Sequence, residues 1–442
     1  MKYFGTDGIR QKADKFTTEF LAKIVRGLVE YAGDEIRVLI GGDTRESSEW
    51  ILADLELILE SFGVDYGNVG VLPTPGINYC FYEMGFDFAI DVTASHNPYM
   101  DNGIKILERG DKFGQKLGEA GREAIERSLE REIEFSSVAP TVREGLHDEA
   151  VEIYKKHLIG YIGKADFSEL KIGVDCANGA TAVIGGQIFE ELGAKVTLIN
   201  ADFSYGQKIN NNCGSTHLEG LRDLVRQEHL DFGIAFDGDG DRCLLVDAKG
   251  KEVDGDEIIV ILAEYLKLDK VAVTVMANQG IMEWAKDKGV ETKITAVGDS
   301  NVAEAMRMNR IEIGGEQSGH IILPGEAMGD GMLTGLMVTK VVAEAGSSLA
   351  ESASKMKKFP QMTINMPAEA DQKERLKTSE RAKRILLEYN TKAEKANGRI
   401  LVRPSGTEPV IRITIWGDDE EKIRGLINEL KEELARALNE GD

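Results

Sequence analysis

The chain of 442 residues holds few cysteines: four, at positions 80, 176, 213 and 243. No two are spaced as a CxxC pair, and a chain this long needs no disulfide scaffold. They are expected as reduced thiols of a cytoplasmic protein. Long apolar runs are missing too. None approaches the roughly 20 residues of a membrane helix. The opening "MKYFGTDGIR" has no apolar h-region, so no signal peptide is expected. Basic tracts are absent as well. The formal charge is −23, from 76 acidic and 53 basic residues. Such a chain repels phosphate backbones, so nucleic acid is not an expected partner. A phosphorylated ligand then needs a local cluster of Lys and Arg, set against the overall field. Three fingerprints are also missing. GxxxxGK[ST] and a GxGxxG after a strand do not occur, which removes the common nucleotide sites. The serine motifs are not GxSxG, which removes an α/β-hydrolase elbow.

What is present is a repeated pattern. "IRVLIGGDTRESSEWILADLELILESFGV" reads as an apolar strand, a polar glycine turn, a helix and a glycine stop. "LKIGVDCANGATAVIGGQIFEELGAKVTLIN" and "KVAVTVMANQGIMEWAKDKGVETKIT" read the same way. Continuous apolar strands alternating with helices predict parallel sheets covered on both faces. Length predicts about three or four domains at roughly 100–200 residues each. The fold class is therefore α/β, with three similar mixed or parallel sheet domains and a small α+β domain at the end. Boundaries are expected near 150, 252 and 361. In the last part "MTINMP", "RILVRPS" and "VIRITIWG" read as strands, and Asp371 to Glu388 as a charged helix. Ile423, Leu426, Ile427, Leu430, Leu434 and Leu438 form a helical core stripe. "KEELARALNEGD" is expected to be a solvated, fraying end.

Four clusters carry chemistry. "DFGIAFDGDGDRCLLVDAKG" runs a strand into Asp237, Asp239, Asp241 and Arg242, then into another strand. Three carboxylates at alternate positions converge on a hard cation such as Mg²⁺. A solvated acidic turn is the rival, but carboxylates this close repel unless neutralised. A calcium EF-hand fails on spacing, because its sixth position is Arg242 and its twelfth Ala248. "RPSGTEPVIR" offers Arg403, Ser405, Gly406, Thr407 and Arg412 as a phosphate loop with bidentate arginine forks. Its rival is a surface turn with two unrelated charges. "GGEQSGHIILPG" places Glu316 and Ser318 where they can bond sugar hydroxyls, beside His320. A lone histidine is more often structural than catalytic. "DVTASHNPYMDNGIK" puts Ser95 and His96 after an apolar strand, with Lys105 beyond; it is either a turn or a reactive serine. "FGTDGIR", with Arg10, folds over a site or is a frayed start. "NNNCGSTH" reads equally as an interdomain loop or a site.

Together these motifs resemble the α-D-phosphohexomutases: "TASHNP", "DGDGDR", "GEQSGH" and "RPSGTEP" stand in that family's order, from Thr6 to about Trp416. "GEQSGH" and "NNNCGSTH" resemble its phosphoglucosamine mutases most, although Gln11 replaces the usual glycine after "GTDGIR". The resemblance implies that Ser95 is phosphorylated and exchanges its phosphoryl group with a sugar phosphate through a 1,6-bisphosphate. It implies one Mg²⁺ on Asp237, Asp239 and Asp241, completed by Ser95. It implies proton transfer by Lys105, Arg10 and His320, and substrate contacts from Arg242, Glu316, Ser318, Arg403, Ser405, Gly406, Thr407 and Arg412. The expected partner is a phosphorylated hexose. A homodimer is in keeping with the family, and amino-sugar nucleotide synthesis is the implied pathway. A phosphomannomutase/phosphoglucomutase is the alternative within the family, and a Mg²⁺-dependent phosphatase and a non-catalytic sugar-phosphate binder are the readings from other classes.

Overall fold

The structure is a computed structural model that describes residues 2–5, 7–33, 35–110, 113–133, 142–143, 145–395, 397–405 and 409–440. The three sequence units become three sheets with one arrangement. In the first, Asp65–Val71, Arg37–Gly42 and Phe88–Val92 lie parallel in that order, and Asp101–Arg109 pairs antiparallel with Phe88–Val92. In the second, Lys195–Ile199, Lys171–Asp175 and Phe232–Phe236 are parallel, and Cys243–Asp247 closes antiparallel. In the third, Glu291–Thr295, Lys270–Thr274 and Ile313–Gly315 are parallel, and Ile321–Ile322 closes antiparallel.

The parallel strands follow from their apolar runs; Arg37–Gly42, for example, is buried at every position after Arg37. The antiparallel closure follows from connection length. A parallel crossover needs a dozen or more residues, and the short links after Phe88–Val92, Phe232–Phe236 and Ile313–Gly315 allow only a hairpin. These three hairpins hold Ser95, the aspartate triplet and Glu316–His320. Equivalent corners of three equivalent sheets thus hold three of the sequence-predicted clusters.

"FGTDGIR" is no frayed start. Gly8–Lys12 pairs antiparallel with Asp101–Arg109 and extends the first sheet, placing Arg10 opposite Gly103. Gly8 is required there: its φ is +107°, and a Cβ would stand 2.4 Å from the Ile104 carbonyl oxygen. Arg10 and Lys105 therefore project from paired strands, where loops were expected, because the Asn102-Gly103 pair sits inside a strand rather than at a turn.

The C-terminal part is a three-stranded antiparallel sheet in the order Gln361–Pro367, Val410–Trp416, Arg399–Pro404. The charged stretch is two helices, Ala370–Thr378 and Glu380–Glu394, broken at an extended Ser379 whose hydroxyl caps the second. The last helix, Glu420–Glu440, does not fray where expected: Leu434 and Leu438 are buried, so the apolar stripe holds it down almost to its end.

One hydrophobic cluster runs through the first three sheets, including Leu39, Ile77, Leu158, Phe189, Ile234 and Leu336. The C-terminal sheet has its own, around Tyr389, Ile413, Ile427 and Leu430. All four cysteines are buried and unpaired, and burial pushes the Cys176 thiol up to about 12. Among the described residues no helix is long and apolar enough to cross a membrane.

Candidate active site

Ser95 sits on the first corner, fully buried, with a left-handed φ of +53°. That conformation costs a non-glycine residue about 1–2 kcal/mol, so the surroundings must impose it. They do so through Arg45, which is fully buried. Its guanidinium makes five hydrogen bonds, to Asp43 and to the carbonyls of Ser95, Asn97, Pro98 and Asp101. Asp43 also accepts from Thr93 Oγ1 at 2.7 Å, and that same oxygen accepts the Ser95 N–H at 2.9 Å. Asn210 Nδ2 adds a bond to the Ser95 carbonyl at 2.8 Å, so "NNNCGSTH" buttresses the serine loop from the second domain.

The Ser95 hydroxyl donates to Asp237 Oδ2 at 2.7 Å. Ligand oxygens of Asp237, Asp239 and Asp241 lie within 4.8 Å of one another, and all three residues are buried. Burial, then Asp239 and Asp241, raise the Asp237 pKa well above the carboxylate range. Burial acts on Asp241 in the same sense, but Lys105 and His320 overcome it and hold that carboxyl well below its ordinary value. Asp239 Oδ1 and Asp241 Oδ1 are buried with no hydrogen-bond partner. Unsatisfied oxygens of this kind are expensive to bury. They fit a hard cation with oxygen ligands, completed by the Ser95 oxygen.

Positive charge surrounds this triplet. Lys105 Nζ lies 2.7 Å from Asp239 and 3.4 Å from both Asp241 and Asp7. Burial opposes its charge, but those carboxylates outweigh burial and hold its pKa well above normal. Arg242 Nε stands 3.8 Å from Asp241 and 3.9 Å from Asp237. Its Nη1 donates to His96 Nδ1 at 2.8 Å. Burial, then Arg242 and Arg10, bring His96 down to about 4, so it is neutral at pH 7. His320 Nδ1 lies 3.6 Å from Asp241 Oδ2. Burial works against its charge, while Asp241 and Asp299 raise its pKa to about 9; its Nε2 accepts the Gly329 N–H at 3.1 Å, which places a ring proton on Nδ1, facing Asp241. Arg10 Nη2 donates to Asp7 Oδ2 at 2.6 Å and does not touch the aspartate triplet directly.

The third corner is joined to the second by an antiparallel bridge between Arg242 and His320. One Glu316 oxygen accepts the Gly298 N–H at 3.0 Å, and Ser318 is exposed. Gln317 bonds Asp254 Oδ2 at 3.1 Å and Gln361 Oε1 at 3.0 Å, at the root of the C-terminal domain. On that domain Arg403 and Arg412 are register partners across neighbouring strands. Burial and the Arg412 charge lower the Arg403 pKa, with Glu316 opposing them. Two guanidinium groups held side by side favour an anion. Ser405 closes the hairpin with its N–H on the Val410 carbonyl at 2.9 Å. Gly406 and Thr407 lie outside the described residues.

Sequence reasoning missed the Asp43–Arg45 cradle. The triplet "DTR" after an apolar strand was its only signal, and its partners lie some 50 residues away. It also missed Thr74, whose Oγ1 donates to Asp91 at 2.5 Å and to Asp239 at 3.2 Å. Asp7, Lys116 and Asp299 were missed as well.

Four family models match the chain in order. They are phosphoglucomutase/phosphomannomutase alpha/beta/alpha domains I, II and III, over residues 1–135, 152–250 and 254–359, and the C-terminal domain, over residues 365–433. A curated relative named phosphoglucosamine mutase, from Caldicellulosiruptor bescii, is 41% identical over 441 residues, covering 96% of each chain. Another of that name, from Geobacillus kaustophilus, is 38% identical and covers 99% of each. Solved structures share the fold. A phosphoglucomutase/phosphomannomutase family protein from Burkholderia thailandensis gives a TM-score of 0.79 at 20% identity, covering 99% of this chain and 98% of its own. Aspergillus fumigatus N-acetylphosphoglucosamine mutase, solved with GlcNAc-6P and magnesium, gives 0.63 at 17% identity, covering 98% and 95%. The chain belongs to the α-D-phosphohexomutase superfamily and groups there with the phosphoglucosamine mutases.

Proposed function

We propose that the protein is a phosphoglucosamine mutase, interconverting glucosamine 6-phosphate and glucosamine 1-phosphate through a phosphorylated Ser95. The observation that carries this reading is the buried Ser95 hydroxyl, 2.7 Å from Asp237 at the edge of a carboxylate triplet with two unsatisfied oxygens. Phosphoryl transfer asks a protein mainly for positioning and charge neutralisation. Asp237, Asp239, Asp241 and the Ser95 oxygen would hold one Mg²⁺, which neutralises charge on the transferring group.

The serine-borne phosphoryl group passes to the free hydroxyl of the sugar phosphate. The Ser95 Oγ–P bond breaks and a bond from phosphorus to the sugar oxygen forms, giving a 1,6-bisphosphate. The hydroxyl proton ends on the departing Ser95 oxygen, so the serine is left as a neutral hydroxyl, with Lys105, Arg10 and His320 assisting that transfer. The bisphosphate then turns over, and its other phosphoryl group returns to Ser95. Arg403, Ser405, Gly406, Thr407 and Arg412 grip the phosphate that is not reacting. Arg242, Glu316 and Ser318 meet the sugar in both orientations. The names of the full-length relatives support glucosamine as the hexose.

Phosphorus NMR tests the reading. The protein is incubated with Mg²⁺, a trace of sugar bisphosphate and, in separate tubes, the 6-phosphates of glucosamine, glucose and mannose. The expected result is fastest formation of the 1-phosphate in the glucosamine tube. A lead for glucose or mannose makes the protein a phosphoglucomutase or phosphomannomutase. Inorganic phosphate as the only product makes it a phosphatase.

A further inference from the structure

We propose that Lys116, which no motif marks, is a positioning residue: it completes a closed ring of contacts, in which carboxylates alternate with two ammonium groups and an imidazole, that fixes Lys105 and His320. This rests on the mutase reading above. The ring runs from Lys105 to Asp7 (3.4 Å), from Asp7 to Lys116 (2.5 Å) and from Lys116 to Asp299 in direct contact. It continues from Asp299 to His320 (3.9 Å), from His320 to Asp241 (3.6 Å) and from Asp241 back to Lys105 (3.4 Å). Lys105, Lys116 and the His320 imidazole each stand between two carboxylates, so no two carboxylates are neighbours around the ring.

The ring also crosses a seam. Lys116 ends the Gly114–Lys116 strand of the first domain, and Asp299 begins the Asp299–Asn309 helix of the third. An exposed pair would contribute little. This pair is mostly enclosed, with side-chain exposures of 28% for Lys116 and 17% for Asp299. Beneath it lies a cavity of about 790 Å³, walled in part by Leu107, Leu117, Met306, Ile311 and Ile322. Little packing backs the two carboxylates on that side; Arg10 also holds Asp7 at 2.6 Å and the Ser300 N–H holds Asp299 at 2.8 Å, but only the Lys116 ammonium ties one to the other across the seam. Without it the two carboxylates face each other across the seam, repel, and have room to move. Lys105 and His320 would follow their partners. Lys116 itself touches neither Ser95 nor the aspartate triplet, so it acts through others.

The test is steady-state kinetics of Lys116→Met and Lys116→Arg on glucosamine 6-phosphate. A shift of about 1 Å in reacting groups can lower turnover by about 100-fold. The expectation for Lys116→Met is a kcat lower by about 10- to 100-fold with KM within about threefold, since ground-state contacts are untouched. Lys116→Arg, which keeps the cation, should recover most of that loss. A kcat for Lys116→Met within twofold of wild type overturns the proposal, and so does a loss confined to KM. Thermal melting supplies an arm that needs no activity. Lys116→Met combined with Asp299→Asn should lower Tm by less than the sum of the single changes; additive losses overturn the contact. A wild type that isomerises no hexose phosphate defeats the mutase reading and takes the positioning role with it, while melting still reports on the contact.

Discussion

The first three corners and the fourth hairpin solve opposite problems. The Ser95, Asp237–Arg242 and Glu316–His320 corners rest on one continuous core, and the Arg242–His320 bridge links two of them directly. Most of their charged groups are buried and paired. The Arg403–Arg412 hairpin stands on a separate small core, with two like charges side by side. Rigid, desolvated preorganisation suits groups that meet a transferring phosphoryl. A looser, cationic grip suits a phosphate that must be held in two orientations. In the proposed reading, phosphoryl transfer and sugar contacts stay with the corners while the grip on the resting phosphate falls to the C-terminal hairpin, and Gln317 is tied to Gln361 where the two regions meet.

The sharpest way to break this contrast is at Ser95. Ser95→Ala should lower mutase turnover by more than about 1,000-fold, as removal of a nucleophile does. Its Tm should stay close to wild type, because one hydroxyl contributes little to the core. Retained activity would end the phosphoserine assignment. Next comes Arg45. Arg45→Met leaves Asp43 buried without its partner and releases the carbonyls of the serine loop. Breaking a buried pair from one side costs about 3–5 kcal/mol. Urea unfolding should show that loss together with lower activity. On the other side of the comparison, Arg403→Ala should raise KM by about 10- to 100-fold, the size of one lost charge-assisted bond of roughly 1.5–3 kcal/mol. Its Tm should barely move. A stability loss there as large as that of Arg45→Met would erase the distinction between the regions.

A milder effect is expected from pH. Burial raises Asp330 to about 7, although it caps the Gly331–Ala345 helix and accepts the Tyr154 hydroxyl. Its unfolded value is near 3.8. The folded state therefore holds the proton more tightly. That stability is fully present below about pH 4 and is lost as pH rises through about 7. Melting temperatures between pH 5 and 8 should fall, and Asp330→Asn should flatten part of the slope. An unchanged slope would mean that the carboxylate is well accommodated as a charge.

The corners were legible because their signals are local. Alternating Asp and Gly, a serine after an apolar strand and an arginine-bearing turn each lie within about ten residues. The strands beneath them were legible from continuous apolar runs. What local pattern does not carry is partnership across the chain. Arg45 reads as one polar residue in "GGDTRES", yet its guanidinium is spent on carbonyls some 50 residues on. Lys116 and Asp299 are 183 residues apart, and nothing in either neighbourhood names the other. The end of the last helix was misread for a related reason: its charges are local, while the core that holds Leu434 and Leu438 comes from distant strands. The antiparallel closure of each sheet was legible only through the length of its hairpin.

That repeated closure has a consequence for how the molecule can change. One strand order, used three times, offers the same exit from the sheet to three unrelated short peptides. A corner of this kind is carried by the strands but contributes little to their pairing. Its sequence answers to its own fastenings, as the serine loop does to Arg45, more than to the layer below. A serine loop, an aspartate triplet and a Glu-to-His loop thus occupy equivalent places. Grafting a corner from one unit onto another must therefore carry its distant fastenings as well, as the serine loop would need Arg45 and Asn210.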